Sequence, residues 1–158
     1  MQGTTLENIM IKELPELKLV GFRVLCLGDQ FINEIPKASK RLSERMSEIK
    51  QVVNPLRQLG AFVVDNKTDE EDGYWICVEV NEYDDIPADM VTLTVQPQRY
   101  AASRYKGVNN KIMDAYNELH MWIEENNYRR LKDKWHLEIY YSWEDVENID
   151  VELFDTVE

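Results

Sequence analysis

Residues 135–143 read WHLEIYYSW and place one carboxylate, that of Glu138, among two tryptophans, two adjacent tyrosines and a histidine. Aromatic and branched aliphatic residues favour a β-strand. Side chains alternate along a strand, so Glu138 and Tyr140 share one face while Leu137 and Ile139 share the other. Taken alone, a glutamate in this position is typical of a solvent-facing site on a half-buried strand. The remaining segments decide whether Glu138 has another role.

The length and hydrophobicity of the chain fit a globular domain. With 158 residues, of which 44% are hydrophobic, it can bury a sizeable core. We predict a single domain over residues 1–158, made of one half at about 6–82 and a second at about 88–157. No apolar run reaches the roughly 18 residues of a membrane helix. The N-terminus lacks the basic start and apolar core of a signal peptide, so a cytoplasmic location is expected.

The charge balance limits the possible partners. Thirty acidic and eighteen basic residues give a net charge of −12. Nucleic-acid binding requires a basic surface, so no direct nucleic-acid partner is predicted. An acidic field attracts cationic small molecules or a basic protein patch, although it also serves plain solubility. The two cysteines, Cys26 and Cys77, lie in apolar segments, and the two histidines lack metal-ligand spacing, so neither a metal nor a cofactor is predicted.

Hydrophobic periodicity predicts two helices separated by strands. Apolar residues recur at intervals of three and four near 34–57 and again near 108–126, which is typical of amphipathic helices. Pro55 and Gly60 are interpreted as the end of the first helix. Alternating or continuous apolar runs predict the strands 9–14, 17–27, 74–80, 90–95, 99–105, 135–141 and 151–157.

The order of elements suggests a duplicated topology, because each half reads strand, strand, long helix, strand. One helix per half can cover one face of an antiparallel sheet. The uncovered faces of the two halves are then expected to meet and leave a cleft. In this arrangement Leu137, Ile139, Ile76 and Val78 pack on the helices, and the cleft receives Glu138, Tyr140, Trp75 and Glu79.

Five ordered segments resemble the GyrI-like small-molecule-binding family, which also occurs as the AraC-type effector-binding domain of multidrug-sensing regulators. These segments are IKELPELKLVGFRV (11–24), YWICVEVNE (74–82), IPADMVTLTVQPQRYAASRYKG (86–107), AYNELHMWIEENNY (115–128) and LEIY (137–140). The resemblance implies an α+β fold of two pseudo-symmetric β-α-β-β modules. It implies a largely antiparallel sheet, helices on one side and a ligand cleft between the halves. It also implies that Glu138 lies at the floor of an aromatic pocket.

The function implied by this resemblance is binding of amphipathic, cationic aromatic molecules. Cations are attracted to the faces of aromatic rings, and a nearby carboxylate adds to that attraction. Only a few polar residues precede Ile9, so a stand-alone module without a DNA-binding helix-turn-helix is expected. The candidate ligand-binding residues are Glu138, Tyr140, Trp122, Tyr116, Tyr105 and Trp75.

Two alternatives remain open at the level of the sequence. Some GyrI-like proteins resemble hydrolases of strained, cyclopropane-containing toxins, and Glu138 would then activate water or protonate a leaving group. The acidic surface could instead contact a protein partner, whose identity the sequence does not indicate. Binding is favoured over hydrolysis because neither a Ser–His–Asp nor a Cys–His arrangement is evident, and neither His120 nor His136 has an obvious acidic partner.

Overall fold

The structure is a computed structural model that describes residues 6–158, without the side chains of Leu6 and Glu7. The first residues of the segment used to predict the absence of a signal peptide lie outside the described residues. The described chain forms two helices, α1 (Phe31–Arg45) and α2 (Ile112–Glu125). The strands are β1 (Leu6–Leu14), β2 (Leu17–Val24), β3 (Gln58–Val63), β4 (Tyr74–Val80), β5 (Val91–Val95), β6 (Gln98–Gly107), β7 (Trp135–Ser142) and β8 (Ile149–Val157).

These strands form one sheet in the order β1-β6-β8-β7-β3-β4-β2-β5, and every pairing in it is antiparallel. The predicted α+β fold with an antiparallel sheet is therefore confirmed. β7 and β3 are adjacent at the centre of the sheet, which puts Glu138 far from either edge. Among the described residues, neither helix has the length and apolarity needed to cross a membrane.

Two short connections force this sheet to curl. Residues 15–16 join β1 to β2, and residues 96–97 join β5 to β6. Each connection links strands that are six positions apart in the sheet. In a flat sheet that separation would be about 29 Å, at about 4.8 Å per strand. A two-residue connection spans only about 10 Å, so the ends of the sheet must approach each other.

The curled sheet buries apolar side chains on both faces. On the helix face, Val20, Ile76 and Val151 share a core with Leu42 of α1 and Leu119 of α2. The buried members of the second core come from strands alone, and they include Leu19, Leu59, Trp75, Cys77, Leu137, Ile139 and Phe154. The uncovered faces of the two halves therefore meet in a packed apolar core, where the sequence predicted a cleft. Leu137 and Ile139 lie in this core, so their predicted packing on the helices is wrong.

The first helix is shorter than predicted, and a strand replaces the rest of it. α1 ends at Arg45 and a short 3-10 turn follows over Met46–Glu48. Gln51 then adopts a positive φ of 66°, and Val52 bridges to Val80 of β4. Leu56, which falls within the predicted helix at 34–57, is 77% exposed. β3 begins at Gln58, so the predicted helix end at Gly60 lies inside a strand.

Candidate functional site

Glu138 is held on the helix-covered face at the centre of the sheet. Its strand neighbour in register is Gly60 of β3, and Gly60 is in turn paired with Ile76 of β4. Residues in register on adjacent strands point to the same face, so Glu138 lies in the row of Ile76, which packs in the helix-face core. Glu138 is only 5% exposed. The interpretation of Glu138 as a solvent-facing residue is therefore wrong.

Three tyrosine hydroxyls satisfy the buried carboxylate. Tyr74 of β4 donates to Oε1 at 2.5 Å, and Tyr116 of α2 donates to Oε2 at 2.5 Å. Tyr140, two residues along β7, donates to Oε1 at 3.0 Å. A buried carboxylate is tolerated when hydrogen bonds replace its hydration. The tyrosines come from a helix and two strands, so the acid joins α2 to both halves of the sheet.

The electrostatics of this cluster keep the tyrosines neutral. Burial, followed by the negative charge of Glu138, raises the pKa of Tyr74, Tyr116 and Tyr140 well above their ordinary value. All three phenols therefore remain hydrogen-bond donors at neutral pH. Within the described part of the chain, no ion pair joins Glu138 to a lysine, arginine or histidine. The cluster is thus a buried acid with neutral partners.

Gly60 makes room for one of these partners. A Cβ atom at Gly60 would lie 1.7 Å from Tyr74 Oη and 2.3 Å from Cζ of the same ring. The phenol therefore crosses directly over the Gly60 backbone on its way from β4 to Glu138 on β7. Any other residue at this position would push Tyr74 away from the acid. The sequence gives no sign of this role, because Gly60 follows Pro55 closely in a pattern that predicts the end of a helix.

A cavity opens beside the tyrosine cluster. It measures about 30 Å³, which is the space of roughly one water molecule. Its walls include Ile35 and Ser39 of α1, Ile76 and Tyr140 of the sheet, and Trp143 and Val146 of the β7–β8 connection. Tyr140 lines the cavity, and its hydroxyl donates to Glu138. Tyr140 therefore connects the cavity to the buried acid.

A second buried acid, Asp155 of β8, has very different partners. Its side chain is fully buried, and Arg130 Nε donates to Oδ1 at 3.0 Å. His120 Nε2 lies 2.7 Å from Oδ2, and His136 Nδ1 lies 3.3 Å from Oδ1. Burial opposes ionisation of Asp155, but His120, His136 and Arg130 outweigh it and lower its pKa. The expectation that neither histidine has an acidic partner is wrong, because the carboxylate of Asp155 contacts both.

The structure brings together only some of the predicted ligand-binding residues. Glu138, Tyr140 and Tyr116 form one cluster, to which the sequence did not assign Tyr74. Trp75 lies in the opposite core, where its ring meets Trp135 edge-on at 4.9 Å. The prediction that Trp75 shares a cleft with Glu138 is therefore wrong, since β4 directs alternate side chains to opposite faces.

The other two candidates and Glu79 lie away from the acid's hydrogen bonds. Tyr105 donates its hydroxyl to the Val108 carbonyl at 2.8 Å. Trp122, on α2, stacks on Tyr128 with ring centroids 5.9 Å apart. Glu79, also predicted to face the cleft, is partly buried and its Oε1 lies 3.4 Å from Arg57.

The fold and this site define a small-molecule-binding domain built on a curled antiparallel sheet. A family model described as the GyrI-like small molecule binding domain matches residues 7–154, and the chain belongs to that family. The resemblance seen in the sequence is thereby confirmed. No curated protein sequence matches this chain significantly.

Solved structures with the same fold include one protein bound to a small molecule and one in complex with DNA. SAV2435 bound to tetraphenylphosphonium superposes with a TM-score of 0.71 at 19% identity, covering 96% of this chain and 94% of that one. The C-terminal domain of EcmrR gives a TM-score of 0.65 at 20% identity, covering 96% and 97%. EcmrR in its DNA complex gives 0.69 at 20% identity, and this chain covers 57% of it. At these identities the likeness establishes the fold.

Proposed function

We propose that this chain binds amphipathic, cationic aromatic molecules and that Glu138 is the anchor for their positive charge. The observation that carries the proposal is the composition of the Glu138 cluster. A carboxylate 5% exposed is held by three hydroxyl groups and by no cationic side chain of the described residues. Hydroxyl groups stabilise the negative charge without neutralising it, so the site retains an attraction for a cation.

The expected interaction energies are sufficient for this role. A cation 4 Å from a carboxylate gains about 4 kcal/mol at an effective dielectric constant of about 20. Part of that gain is offset by removing the cation from water. A ring face adds about 0.5–2 kcal/mol, and Tyr140 both lines the cavity and contacts the acid. A cation in the cavity would contact an aromatic side chain and would also be attracted by the negative charge of Glu138.

The comparison with SAV2435 supports the class of ligand. Its structure contains tetraphenylphosphonium, a cation surrounded by aromatic rings. This is the chemistry that a carboxylate beside tyrosine rings selects. The net charge of −12 would further raise the local concentration of such cations. The family membership and the fold agree with this proposal, while the ligand class rests on the geometry of Glu138.

A ligand of this kind requires the site to open. Pockets for drug-sized ligands measure about 300–1,000 Å³, whereas the cavity beside Tyr140 measures about 30 Å³. On this proposal, the arrangement described above is a closed form of the site. Changes of this type on binding are common for side chains and loops. The walls formed by the sheet are held by packing, so opening involves the elements above it.

The proposal is tested by replacing the charge of Glu138 and keeping its shape. In Glu138→Gln, the amide oxygen accepts from Tyr74 and Tyr140, and the amide NH₂ donates to the Tyr116 oxygen. We expect affinity for tetraphenylphosphonium to fall by about 1–3 kcal/mol, the scale of a lost charge-assisted contact. Affinity for tetraphenylmethane derivatives of similar shape and no charge is expected to stay within twofold. Isothermal titration calorimetry measures both.

The control variant is Glu124→Gln, which makes the same charge change at an exposed position of α2. It separates the effect of net charge from that of the buried acid, and no more than a small salt-dependent change is expected. Equal losses for charged and uncharged ligands in Glu138→Gln would give Glu138 a structural role. Turnover of a cyclopropane-bearing electrophile by the wild type but not by Glu138→Gln, without reversible binding, would replace this proposal with hydrolysis.

A further inference from the structure

We infer that Trp143 is a specificity-determining residue of this site, and that Ser43 holds its indole ring in the closed position. The inference rests on the proposed binding function and names the side chain that admits and contacts the ligand. Trp143 follows β7 directly and forms a wall of the cavity beside Tyr140. From the sequence, Trp143 is interpreted, like Trp135, as a rim or packing residue at one end of the strand.

The position of Trp143 differs from that of the other walls. Ile76 and Tyr140 belong to central strands of the sheet, and Ile35 and Ser39 belong to α1. Displacing any of these side chains disrupts the packing of a helix or of the core. Trp143 lies on the connection between β7 and β8, outside both strands, and is partly buried. It is therefore the large side chain of the wall that moves at the lowest cost.

A buried polar network holds the indole against α1. Trp143 Nε1 donates to Ser43 Oγ at 3.1 Å. The same oxygen accepts from Gln58 Nε2 at 3.0 Å, and Gln58 also bonds the carbonyl and hydroxyl groups of Ser39. Gln58 is fully buried and lies opposite Tyr140 in the sheet register. The closed position of Trp143 is thus tied to the strand pair that carries the acid.

This geometry gives Trp143 two roles. Breaking one neutral hydrogen bond, to Ser43, frees the indole to swing outward and enlarge the cavity. The same ring can then lie against the ligand, and tryptophan is the aromatic residue that binds cations best through its face. The site would therefore favour cations with aromatic surfaces over aliphatic cations of equal charge. Trp143 sets this preference, whereas Glu138 sets the requirement for charge.

Ser43→Ala and Trp143→Phe test the hydrogen bond from its two sides. Each removes one partner, and Trp143→Phe keeps an aromatic ring in the wall. We expect both variants to bind ethidium, a planar fluorescent cation, about fivefold faster in stopped-flow experiments, the rate equivalent of one neutral hydrogen bond. Ser47→Ala, at an exposed position one turn further along the chain, is the matched control and should bind at the wild-type rate.

Trp143→Ala tests the specificity. Calorimetry should show tetraphenylphosphonium bound about tenfold more weakly and tetrabutylammonium changed less than twofold. Wild-type rates in both Ser43→Ala and Trp143→Phe, or equal losses for the two cations in Trp143→Ala, would overturn the inference. If Glu138→Gln still weakened the charged ligand and spared the neutral one, the proposed function would survive that result. Failure of the wild type to bind any of these cations would reject both.

Discussion

Glu138 and Asp155 are both buried acids on adjacent strands, but the side chains that contact them differ in charge. Glu138 receives hydrogen bonds from three phenols, all neutral. Asp155 contacts Arg130 and two histidines. α2 reaches both acids from one side, since Tyr116 contacts the first and His120, one turn later, contacts the second. The same helix therefore contacts two carboxylates, one with neutral partners and one with cationic partners.

The contrast shows how the partners of a buried acid indicate its role. A carboxylate paired with arginine is neutralised inside the protein, and its loss leaves a buried cation without a partner. A carboxylate held by hydroxyl groups alone keeps its field and stays available to a ligand. By this criterion we propose that Asp155 serves stability and Glu138 serves binding. The following predictions test that division, and they start with the largest effect.

Asp155→Asn is expected to destabilise the protein by about 3 kcal/mol, because it removes a fully buried carboxylate that contacts both histidines and the partly buried Arg130. Urea unfolding at pH 7, analysed by linear extrapolation, measures the change. Glu138→Gln should change the free energy of unfolding by less than about 1 kcal/mol, since removing a buried charge offsets the weakening of its hydrogen bonds. Similar losses in both variants would remove the distinction between the two acids.

Gly60→Ala is expected to destabilise the protein by about 2–3 kcal/mol through the Glu138 cluster. The added methyl group overlaps Tyr74, and overpacking costs about 1–3 kcal/mol. Displacement of the phenol also removes a hydrogen bond to a charged group, worth about 1.5–3 kcal/mol, although the two effects overlap. Thermal and urea unfolding give the size of the loss.

Gly28→Ala is the matched control, because a Cβ atom there meets no atom within 4 Å. Its effect should stay within about 0.5 kcal/mol. A Gly60→Ala variant as stable as Gly28→Ala would mean that Tyr74 reaches Glu138 without needing the space above Gly60. Tyr74→Ala should relieve the strain, so Gly60→Ala should cost less in that background.

Sequence patterns predicted most elements of this fold because they are local. Alternation placed β4 and β7, and helical periodicity placed α2 to within a few residues of 108–126. Periodicity failed after Arg45, where apolar residues continued at helical intervals by coincidence. The positive φ of Gln51 and the strand bridge of Val52 depend on contacts with β4, which no local pattern contains.

The site was less predictable than the fold, because it depends on the register of the strands and on which face of the sheet the helices cover. Alternation correctly put Glu138 and Tyr140 on one face, but it could not say which face the helices cover. Missing β3 removed the strand that lies between β4 and β7, so the approach of Tyr74 to Glu138 over Gly60 was hidden. A glycine between a strand tyrosine and a strand acid gives no local signal. Only the pairing of the strands reveals it.

The clusters around the two acids are also expected to limit stability at opposite ends of the pH range, the Glu138 cluster at high pH and the Asp155 cluster at low pH. The pKa values of Tyr74, Tyr116 and Tyr140 are raised in the folded protein, so above pH 10 the unfolded chain loses protons that the folded chain keeps. Stability should therefore fall as the pH rises above 10. The pKa of His136 is lowered from 6.5 by burial, and that of Asp155 is lowered from 3.8. Below those values the unfolded chain binds more protons, so stability should fall as the pH drops.

Tyr140→Phe separates these two limits, since it removes one phenol of the Glu138 cluster and leaves the partners of Asp155 in place. One fewer titrating group should reduce the alkaline slope of the unfolding free energy by about 1 kcal/mol per pH unit. The acid side of the profile should keep the wild-type slope. Urea unfolding at intervals from pH 4 to pH 11 measures both. An unchanged alkaline slope would mean that Tyr140 does not contribute to the alkaline limit. A changed acid slope would show that the Glu138 and Asp155 clusters are coupled, with α2 as the element that contacts both.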